Sequence, residues 1–112
     1  MNCIFCKIVS REITADIVAE DREFLVFKDI APKAPIHLII IPKTHLGPIN
    51  VLGGEDRNLL GNLILKAKEA AADIGVLENG YRLIFNVGRD AGMEIDHLHL
   101  HLLSGKVMKF KF

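Results

Sequence analysis

Three histidines, His97, His99 and His101, occupy alternate positions near the end of the chain, with Leu98 and Leu100 between them. Successive side chains of a β-strand point to opposite faces, so this spacing predicts three imidazoles on one face and two leucines on the other. Imidazole titrates near neutral pH and serves as nucleophile, general acid or base, or metal ligand. The spacing therefore predicts a site built around a phosphate or a metal ion. The competing interpretation is the exposed polar face of an edge strand.

Cys3 and Cys6, the only two cysteines, form a Cys-x-x-Cys pair. This spacing lets two thiolates share one metal ion, but a closed zinc site needs two more ligands. Two alternatives stay open at this point: small thiols packed beneath a sheet, and a redox pair. The strand and helix order that accompanies a thioredoxin-type pair is missing, which disfavours the redox interpretation.

The charge balance limits the partners that the chain is expected to bind. Fourteen basic residues balance fourteen acidic ones, so no overall field favours long nucleic acids or an anionic membrane. The sequence lacks a secretory signal pattern and an apolar run of roughly 18 residues, so we expect a cytoplasmic protein without a membrane span. A length of 112 residues predicts a single domain, residues 1–112. Half of these residues are hydrophobic, which predicts apolar surface left for a homodimer contact.

Hydrophobic periodicity predicts several short strands and one long helix. Apolar residues recur at helical spacing over residues 55–74, and Gly75 is placed to end this helix. A helical turn is predicted over residues 4–8, and strands over residues 24–28, 37–41, 81–86 and 97–103. This order predicts the α+β class, with an antiparallel sheet of about five strands backed by the long helix.

The segment His97-Leu98-His99-Leu100-His101-Leu102-Leu103 resembles the signature of the histidine-triad (HIT) family. Four other segments resemble family segments in the family's order, so the likeness spans most of the chain. They are CIFCKI at residues 3–8, FKDIAPKAPIH at 27–37, IPKTH at 41–45 and LIFNVG at 83–88. The likeness is greatest to the small dimeric branch that hydrolyses nucleoside phosphoramidates.

The resemblance implies a HIT-like sheet extended by dimerisation, and a hydrolase acting on purine nucleoside phosphoramidates or related nucleotidyl substrates. In the family pattern His99 attacks the α-phosphorus and forms a covalent nucleotidyl-histidine, which agrees with the nucleophilicity of neutral imidazole. His101 is expected to bind the phosphoryl oxygens, and His37 to orient the nucleophile or a phosphate. His97 completes the expected catalytic group, and catalysis needs no cofactor.

The same resemblance implies residues that bind the substrate. Asp29 matches the residue that holds the ribose hydroxyls, and a carboxylate accepts two hydrogen bonds from a diol. Asn86 matches a polar residue near the phosphate. The positions expected to enclose the base are Ile4, Phe5, Ile8, Phe27 and Ile30. Judged singly, each apolar residue suits a core equally well, and Asp29 suits a strand end.

A structural zinc ion is a further implication of the resemblance. Some HIT proteins pair the two cysteines with a histidine of a Pro-Lys-x-His segment and with the first triad histidine. In this chain the matching ligands are Cys3, Cys6, His45 and His97. Because these positions belong to different elements, zinc is expected to fasten the N-terminal segment to the sheet.

The chain departs from the family pattern next to the triad, where it has Gly92-Met93-Glu94 instead of glycine, glutamine and a hydroxyl residue. Met93 donates nothing to a phosphate. Glu94 is also expected to contact the substrate: it repels a phosphate when ionised, and when protonated it can donate a proton to the leaving group.

Two alternative functions stay open. One is a dinucleoside polyphosphate hydrolase or nucleotidyl transferase, which the triad serves equally well. The other is a nucleotide-binding scaffold with weak or no catalysis, which the Met93-Glu94 pair favours.

Overall fold

The fold is built on one antiparallel sheet with a helix against each face. In this computed structural model, which describes residues 3–112, the helices are α1 (Ile4–Val9) and α2 (Arg57–Asp73). The strands are β1 (Ile17–Glu20), β2 (Phe24–Lys28), β3 (Ile36–Pro42), β4 (Arg82–Ile84) and β5 (Leu100–Ser104). They lie in the order β1-β2-β3-β5-β4, and every neighbouring pair is antiparallel. The predicted α+β class and five-stranded sheet are confirmed.

Alternation along β2 and β3 divides the apolar residues between two cores. Phe24 and Val26 of β2 pack on the face covered by α2, together with the leucines of the triad segment. Leu25 and Phe27 point to the opposite face, where Phe5 and Ile8 of α1 complete a second core. Both faces of the central strands are therefore buried, which explains why β2 and β3 are apolar almost without interruption.

Helix α2 has one buried stripe, formed by Leu63, Ala67, Ala70 and Ala71 at the spacing expected for one helical face. The helix is preceded by a single 3₁₀ turn, Gly54–Asp56, so the prediction over residues 55–74 is confirmed to within a turn. Gly75 follows the helix at φ +79°, a left-handed conformation that glycine adopts without steric penalty. Within residues 3–112, no helix has the length and apolarity required to cross a membrane.

The triad segment joins the sheet later than predicted. The β3–β5 ladder ends at the pair Ile40 and Leu100, so His97 and His99 precede the strand instead of lying within it. The cause is an alternative backbone bond, because the Leu98 N–H donates to the Leu46 carbonyl at 2.7 Å. Alternation nevertheless persists, since Leu98 and Leu100 belong to the core beneath α2.

Two other predicted boundaries also shift. Strand β4 is limited to Arg82–Ile84, three residues instead of the six predicted over 81–86. Strand β3 spans Ile36–Pro42 and exceeds the predicted range, 37–41, by one residue at each end. Pro42 pairs with Phe24 of β2, and its carbonyl accepts a hydrogen bond from the triad segment, as described below.

Candidate active site and metal centre

A cavity of about 560 Å³ opens on the α1 face of the sheet, next to the triad. This volume is typical of pockets for small organic ligands. Its lining includes all eight residues predicted to bind substrate, namely Ile4, Phe5, Ile8, Phe27, Asp29, Ile30, Asn86 and Glu94. His37, His99 and His101 line it as well, whereas His97 does not. The structure therefore brings together the predicted substrate-binding set and three of the four predicted catalytic histidines.

The ring of His99 is held by its own chain. Its Nδ1 lies 2.7 Å from the His97 carbonyl oxygen, and a carbonyl can only accept, so Nδ1 carries the proton and donates. In the neutral ring Nε2 is then the unprotonated nitrogen. Edge contacts with Phe5 and His101, at centroid separations of 5.1 and 5.0 Å, fix the plane of the ring. This arrangement presents a nucleophilic nitrogen at the cavity wall.

His37 and His101 form a hydrogen-bonded chain with a defined proton order. The Lys33 backbone N–H donates to His37 Nδ1 at 3.0 Å, so in neutral His37 the proton resides on Nε2. His37 Nε2 lies 2.9 Å from His101 Nδ1 and donates to it. His101 Nδ1 is thereby an acceptor, and its Nε2 carries the remaining proton. The chain thus makes neutral His101 a hydrogen-bond donor through Nε2.

Burial keeps both of these histidines neutral at physiological pH. It lowers the pKa of His101 to about 4, and the neighbouring rings of His99 and His37 act in the same direction. Burial also lowers the pKa of His37, against the opposing effect of the Asp29 carboxylate. The pair therefore acts at neutral pH as fixed dipoles instead of charged groups.

Asp29 lies where β2 ends and the chain turns towards β3. One of its oxygens, Oδ1, accepts from the Ala31 N–H at 2.8 Å, and Oδ2 lies 3.5 Å from His37 Nε2. Each carboxylate oxygen has a second lone pair, so the group retains capacity for hydroxyl donors. The turn thus holds a carboxylate at the cavity wall, as expected for a residue that binds a diol.

The loop between β4 and β5 supplies the other wall of the cavity. A single 3₁₀ turn, Arg89–Ala91, ends at Gly92 in a left-handed conformation with φ +79°. The Met93 N–H then donates to the Gly88 carbonyl at 3.2 Å, which closes the loop. Met93 and Glu94 therefore line the cavity. These are the two residues that differ from the family pattern, so the difference lies within the candidate site.

A separate group of ligand atoms lies between α1 and the start of the triad. Cys3, Cys6, His45 and His97 each offer one atom, and all four atoms lie within 4.8 Å of one another. The Cys3 Sγ is 3.4 Å from His97 Nδ1, and the Cys6 Sγ is 3.3 Å from His45 Nδ1 and 3.6 Å from His97 Nδ1. In a tetrahedral zinc site, bond lengths of about 2.3 Å to sulfur and 2.0–2.1 Å to nitrogen separate these atoms by about 3.6 Å. The four residues therefore fit zinc.

The tautomer of His97 also suits a metal ion. Its Nε2 lies 2.8 Å from the Pro42 carbonyl and donates to it, which leaves Nδ1 unprotonated towards the cysteines. A second hydrogen bond of this kind is typical of metal-binding histidines. His97 is 1% exposed, so its ring is buried on the side of the segment where the cysteines lie.

Asp29, His37 and His101 also place three ligand atoms within 4.8 Å, but their proton order opposes a metal ion. The nitrogen that His37 offers is the one that carries its proton, because the Lys33 N–H occupies the other. A metal ion there would require an imidazolate. We therefore interpret this group as a hydrogen-bond network and the cysteine group as the candidate metal centre.

The two backbone groups that fix these tautomers were not predicted from the sequence. The Lys33 N–H orients His37, and the Pro42 carbonyl orients His97. Neither role depends on side-chain type, so composition and spacing carry no signal for them. Lys28 and Lys33 also line the cavity and were not predicted.

Comparison with known proteins identifies the family. Residues 2–111 match the family model described as scavenger mRNA decapping enzyme C-terminal binding. The chain is 44% identical over 103 residues to the purine nucleoside phosphoramidase of Escherichia coli K12, covering 92% of this chain and 87% of that one. A HIT family hydrolase from Legionella pneumophila is 50% identical, with a TM-score of 0.94 over 97% of both chains. The chain belongs to the HIT family.

A further HIT relative bears on the metal centre. The zinc-bound histidine triad family protein from Mycobacterium smegmatis is 31% identical, with a TM-score of 0.78 over 95% of this chain and 76% of that one. A zinc ion is thus known in at least one protein with the fold of this HIT chain.

Proposed function

We propose that this HIT protein hydrolyses purine nucleoside phosphoramidates, or related nucleotidyl substrates, through a covalent intermediate on His99. The observation that carries the proposal is the His99 ring at the cavity wall, with Nδ1–H bonded to the His97 carbonyl at 2.7 Å. The neutral ring then has its lone pair on Nε2. The phosphoramidase relative supports the choice of substrate class.

In the first step His99 Nε2 attacks the α-phosphorus. A P–N(His) bond forms, the bond to the leaving amine breaks, and the amine departs with a proton taken from solvent in the open cavity. Water then attacks the same phosphorus and gives up a proton to solvent, the P–N(His) bond breaks, and the nucleoside monophosphate leaves with His99 restored. Covalent catalysis replaces one difficult displacement by two easier ones.

His101 stabilises the charge that develops on the phosphoryl oxygens. Its Nε2–H acts as donor, because Nδ1 accepts from His37 at 2.9 Å. A donor fixed in a partly buried site loses little energy to reorganisation during the reaction. His37 acts through His101 and is a positioning residue.

The remaining lining residues bind the nucleoside. The apolar side contains the buried Phe5, Ile8 and Phe27 and the more exposed Ile4 and Ile30, which suits a planar base. Asp29 accepts from the ribose hydroxyls, and Asn86 contacts the phosphate from the β4 side.

Zinc has a structural role in this proposal. Cys3, Cys6, His45 and His97 hold the ion, which when bound supplies a cross-link between α1 and the sheet. His97 is assigned to this centre, and its backbone carbonyl contributes to the reaction by orienting His99. No bond in the substrate is made or broken by these four side chains.

A homodimer is part of the proposal. Strand β4 is an edge of the sheet, and α2 exposes Ile64 and Leu65, at 44% and 60%. A strand at the edge of a sheet and exposed apolar helix residues are each features that an isologous contact between two copies can cover. Sedimentation at micromolar concentration is expected to show a dimer, and a monomer alone would contradict this assembly.

The experiment that tests the function compares wild type and H99A in hydrolysis of an adenosine phosphoramidate. We expect turnover to fall by about 10³-fold or more, as for other covalent nucleophiles. Retained binding of AMP by H99A shows that the variant is folded. Undiminished turnover in H99A would exclude His99 as the nucleophile, and AMP binding without turnover in wild type would favour the scaffold alternative.

The dinucleoside polyphosphate alternative has one observation in its favour. Lys28 and Lys33 line the cavity and would attract an anionic leaving group. Lys28 is engaged with Asp16 at 3.5 Å, and Glu94 lines the same cavity with the opposite charge. Relative kcat/KM for the phosphoramidate and for a diadenosine polyphosphate decides between the two.

A further inference from the structure

The metal centre and the nucleotide cavity share helix α1. Cys3 caps this helix, since its Sγ accepts from the Cys6 N–H at 3.4 Å, and both residues are metal ligands in the proposed centre. Ile4, Phe5 and Ile8 of the same helix line the cavity. The helix and its N-cap residue therefore contribute side chains to both sites.

The two sites also share the segment that carries the nucleophile. His97 turns Nδ1 to the cysteines, while its backbone carbonyl accepts from His99 Nδ1 at 2.7 Å. The Phe5 ring contacts both histidines by its edge, at centroid separations of 5.8 Å to His97 and 5.1 Å to His99. A movement of His97 would therefore disturb two of the three contacts that orient the His99 ring, those with the His97 carbonyl and with Phe5.

Helix α1 depends on its surroundings for stability. Helices shorter than about 12 residues are marginal in water, so six residues stay helical only through packing and capping. Metal ligation would fix Cys3 and Cys6 to His45 and His97, which lie on two other segments. A base in the cavity would fix the same helix through Ile4 and Phe5. Either ligand would restrict the motion of α1, so the second ligand to bind would lose less conformational entropy than it would by binding alone.

We propose that a zinc ion at Cys3, Cys6, His45 and His97 and a purine nucleoside monophosphate in the cavity bind with positive cooperativity. This inference rests on the proposed function, because it takes the cavity to bind a nucleotide. Coupling between two binding sites is reciprocal, so zinc must tighten AMP by the same factor as AMP tightens zinc. We expect a factor of at least about 5, the lower end of typical coupling between sites.

The test measures, on the full chain, the effect of zinc on AMP binding and the effect of AMP on zinc binding. The Kd of AMP is measured by calorimetry on zinc-loaded and chelator-stripped protein. The Kd of zinc is measured by competition with a chromophoric chelator, with and without saturating AMP. Agreement of the two factors at about 5 or more supports the proposal. Equal AMP affinity in the two metal states overturns the coupling and leaves the proposed hydrolysis standing. Failure to bind zinc overturns the coupling and the structural zinc ion, and it also leaves the proposed hydrolysis standing. Absence of AMP binding in either state removes the proposed function and the coupling with it.

Two matched variants test whether the coupling between zinc and AMP depends on the Phe5 ring. F5L removes the ring contacts to His97 and His99, and F27L removes a ring of the same core that also lines the cavity. Within residues 3–112, the ring of Phe27 contacts Phe5 at 5.6 Å and neither of these histidines. We expect F27L to weaken AMP binding equally with and without zinc, so its coupling factor stays at the wild-type value. In F5L the coupling factor should fall towards one. Equal factors in F5L and F27L overturn the route through α1.

Discussion

His37 donates from Nε2 to His101 Nδ1 across 2.9 Å and thereby joins β3 to β5 at the cavity wall. The direction of this bond is fixed from outside the pair, because the Lys33 backbone N–H occupies His37 Nδ1. A backbone amide in the β2–β3 loop thus determines which nitrogen of His101 carries a proton. A substitution at His37 is therefore expected to act on the phosphoryl group through His101.

Replacing His37 with leucine should lower kcat more than it raises KM. The variant frees His101 to adopt either tautomer, and the cost is limited by that of losing the donor entirely, about 10²–10³ in rate. Steady-state kinetics on the phosphoramidate measures this effect. H37Q is the matched variant, since its amide can donate to His101, and it should recover part of the lost kcat. Equal rates for H37L and wild type would contradict the positioning role.

Stability should fall as pH decreases from about 6.5 to about 4 because His101 is kept neutral in the folded chain. Burial lowers the pKa of His101 from its ordinary 6.5 to about 4. In that window the unfolded chain binds a proton that the folded chain does not, so the free energy of unfolding decreases with decreasing pH. At about 1.4 kcal/mol per pKa unit, the loss is at most about 3 to 4 kcal/mol.

Urea unfolding of the zinc-free protein between pH 4 and 7 checks this prediction, and zinc-free protein avoids the competing effect of metal release. The H101N variant retains an acceptor for His37 and cannot titrate. It should show a smaller slope with pH, and part of the slope should remain because burial also lowers the pKa of His37. A slope in H101N as steep as that of wild type would count against a neutral, buried His101.

Protein purified without chelator should contain about one zinc ion per chain. Stripping the metal should lower Tm, because binding to the folded chain alone adds to its stability. A loss of each 1 kcal/mol corresponds to about 4–8 °C in a domain of this size class. Elemental analysis and calorimetry provide the two measurements. The double variant C3S/C6S is the control, since its Tm should not respond to chelator. Substoichiometric zinc together with an unchanged Tm would mean that the cysteines are packing residues.

Replacing Glu94 with glutamine should change the preference among leaving groups. Glu94 lines the cavity with an exposed carboxylate, which disfavours an anionic leaving group and is nearly indifferent to a neutral amine. We expect E94Q to raise kcat/KM for a diadenosine polyphosphate several-fold relative to the phosphoramidate. The change should shrink at high salt, because an exposed charge is screened. M93L serves as the neighbouring uncharged control, and an identical preference in E94Q and wild type would remove the charge effect.

The sequence predicts the faces of the sheet more reliably than the ends of its strands. The alternation of histidine and leucine over residues 97–101 is retained, with the leucines beneath α2, although only Leu100 and His101 belong to β5. The strand starts late because the Leu98 N–H bonds to Leu46, a contact between distant segments that no local pattern encodes.

Periodicity also did not predict that the triad histidines divide between two sites. Alternation places His97 and His99 on one face, but it does not say that His97 turns towards Cys3 while His99 borders the cavity. That separation depends on the Pro42 carbonyl and on α1, which lie far from the triad in sequence. The resemblance to the HIT family supplied the ligand set, and the proton order that distinguishes the metal centre from the His37–His101 pair required coordinates.

Trapping of the covalent intermediate is the most direct test of His99 as the nucleophile. Wild-type protein is mixed with an adenosine phosphoramidate, quenched within milliseconds in alkali, which preserves phosphorus–nitrogen bonds to histidine, and digested for mass spectrometry. We expect one adenylyl group on His99 and none on H99A treated in the same way. An adduct on His37 or His101, or rapid turnover with no adduct at any quench time, would contradict it.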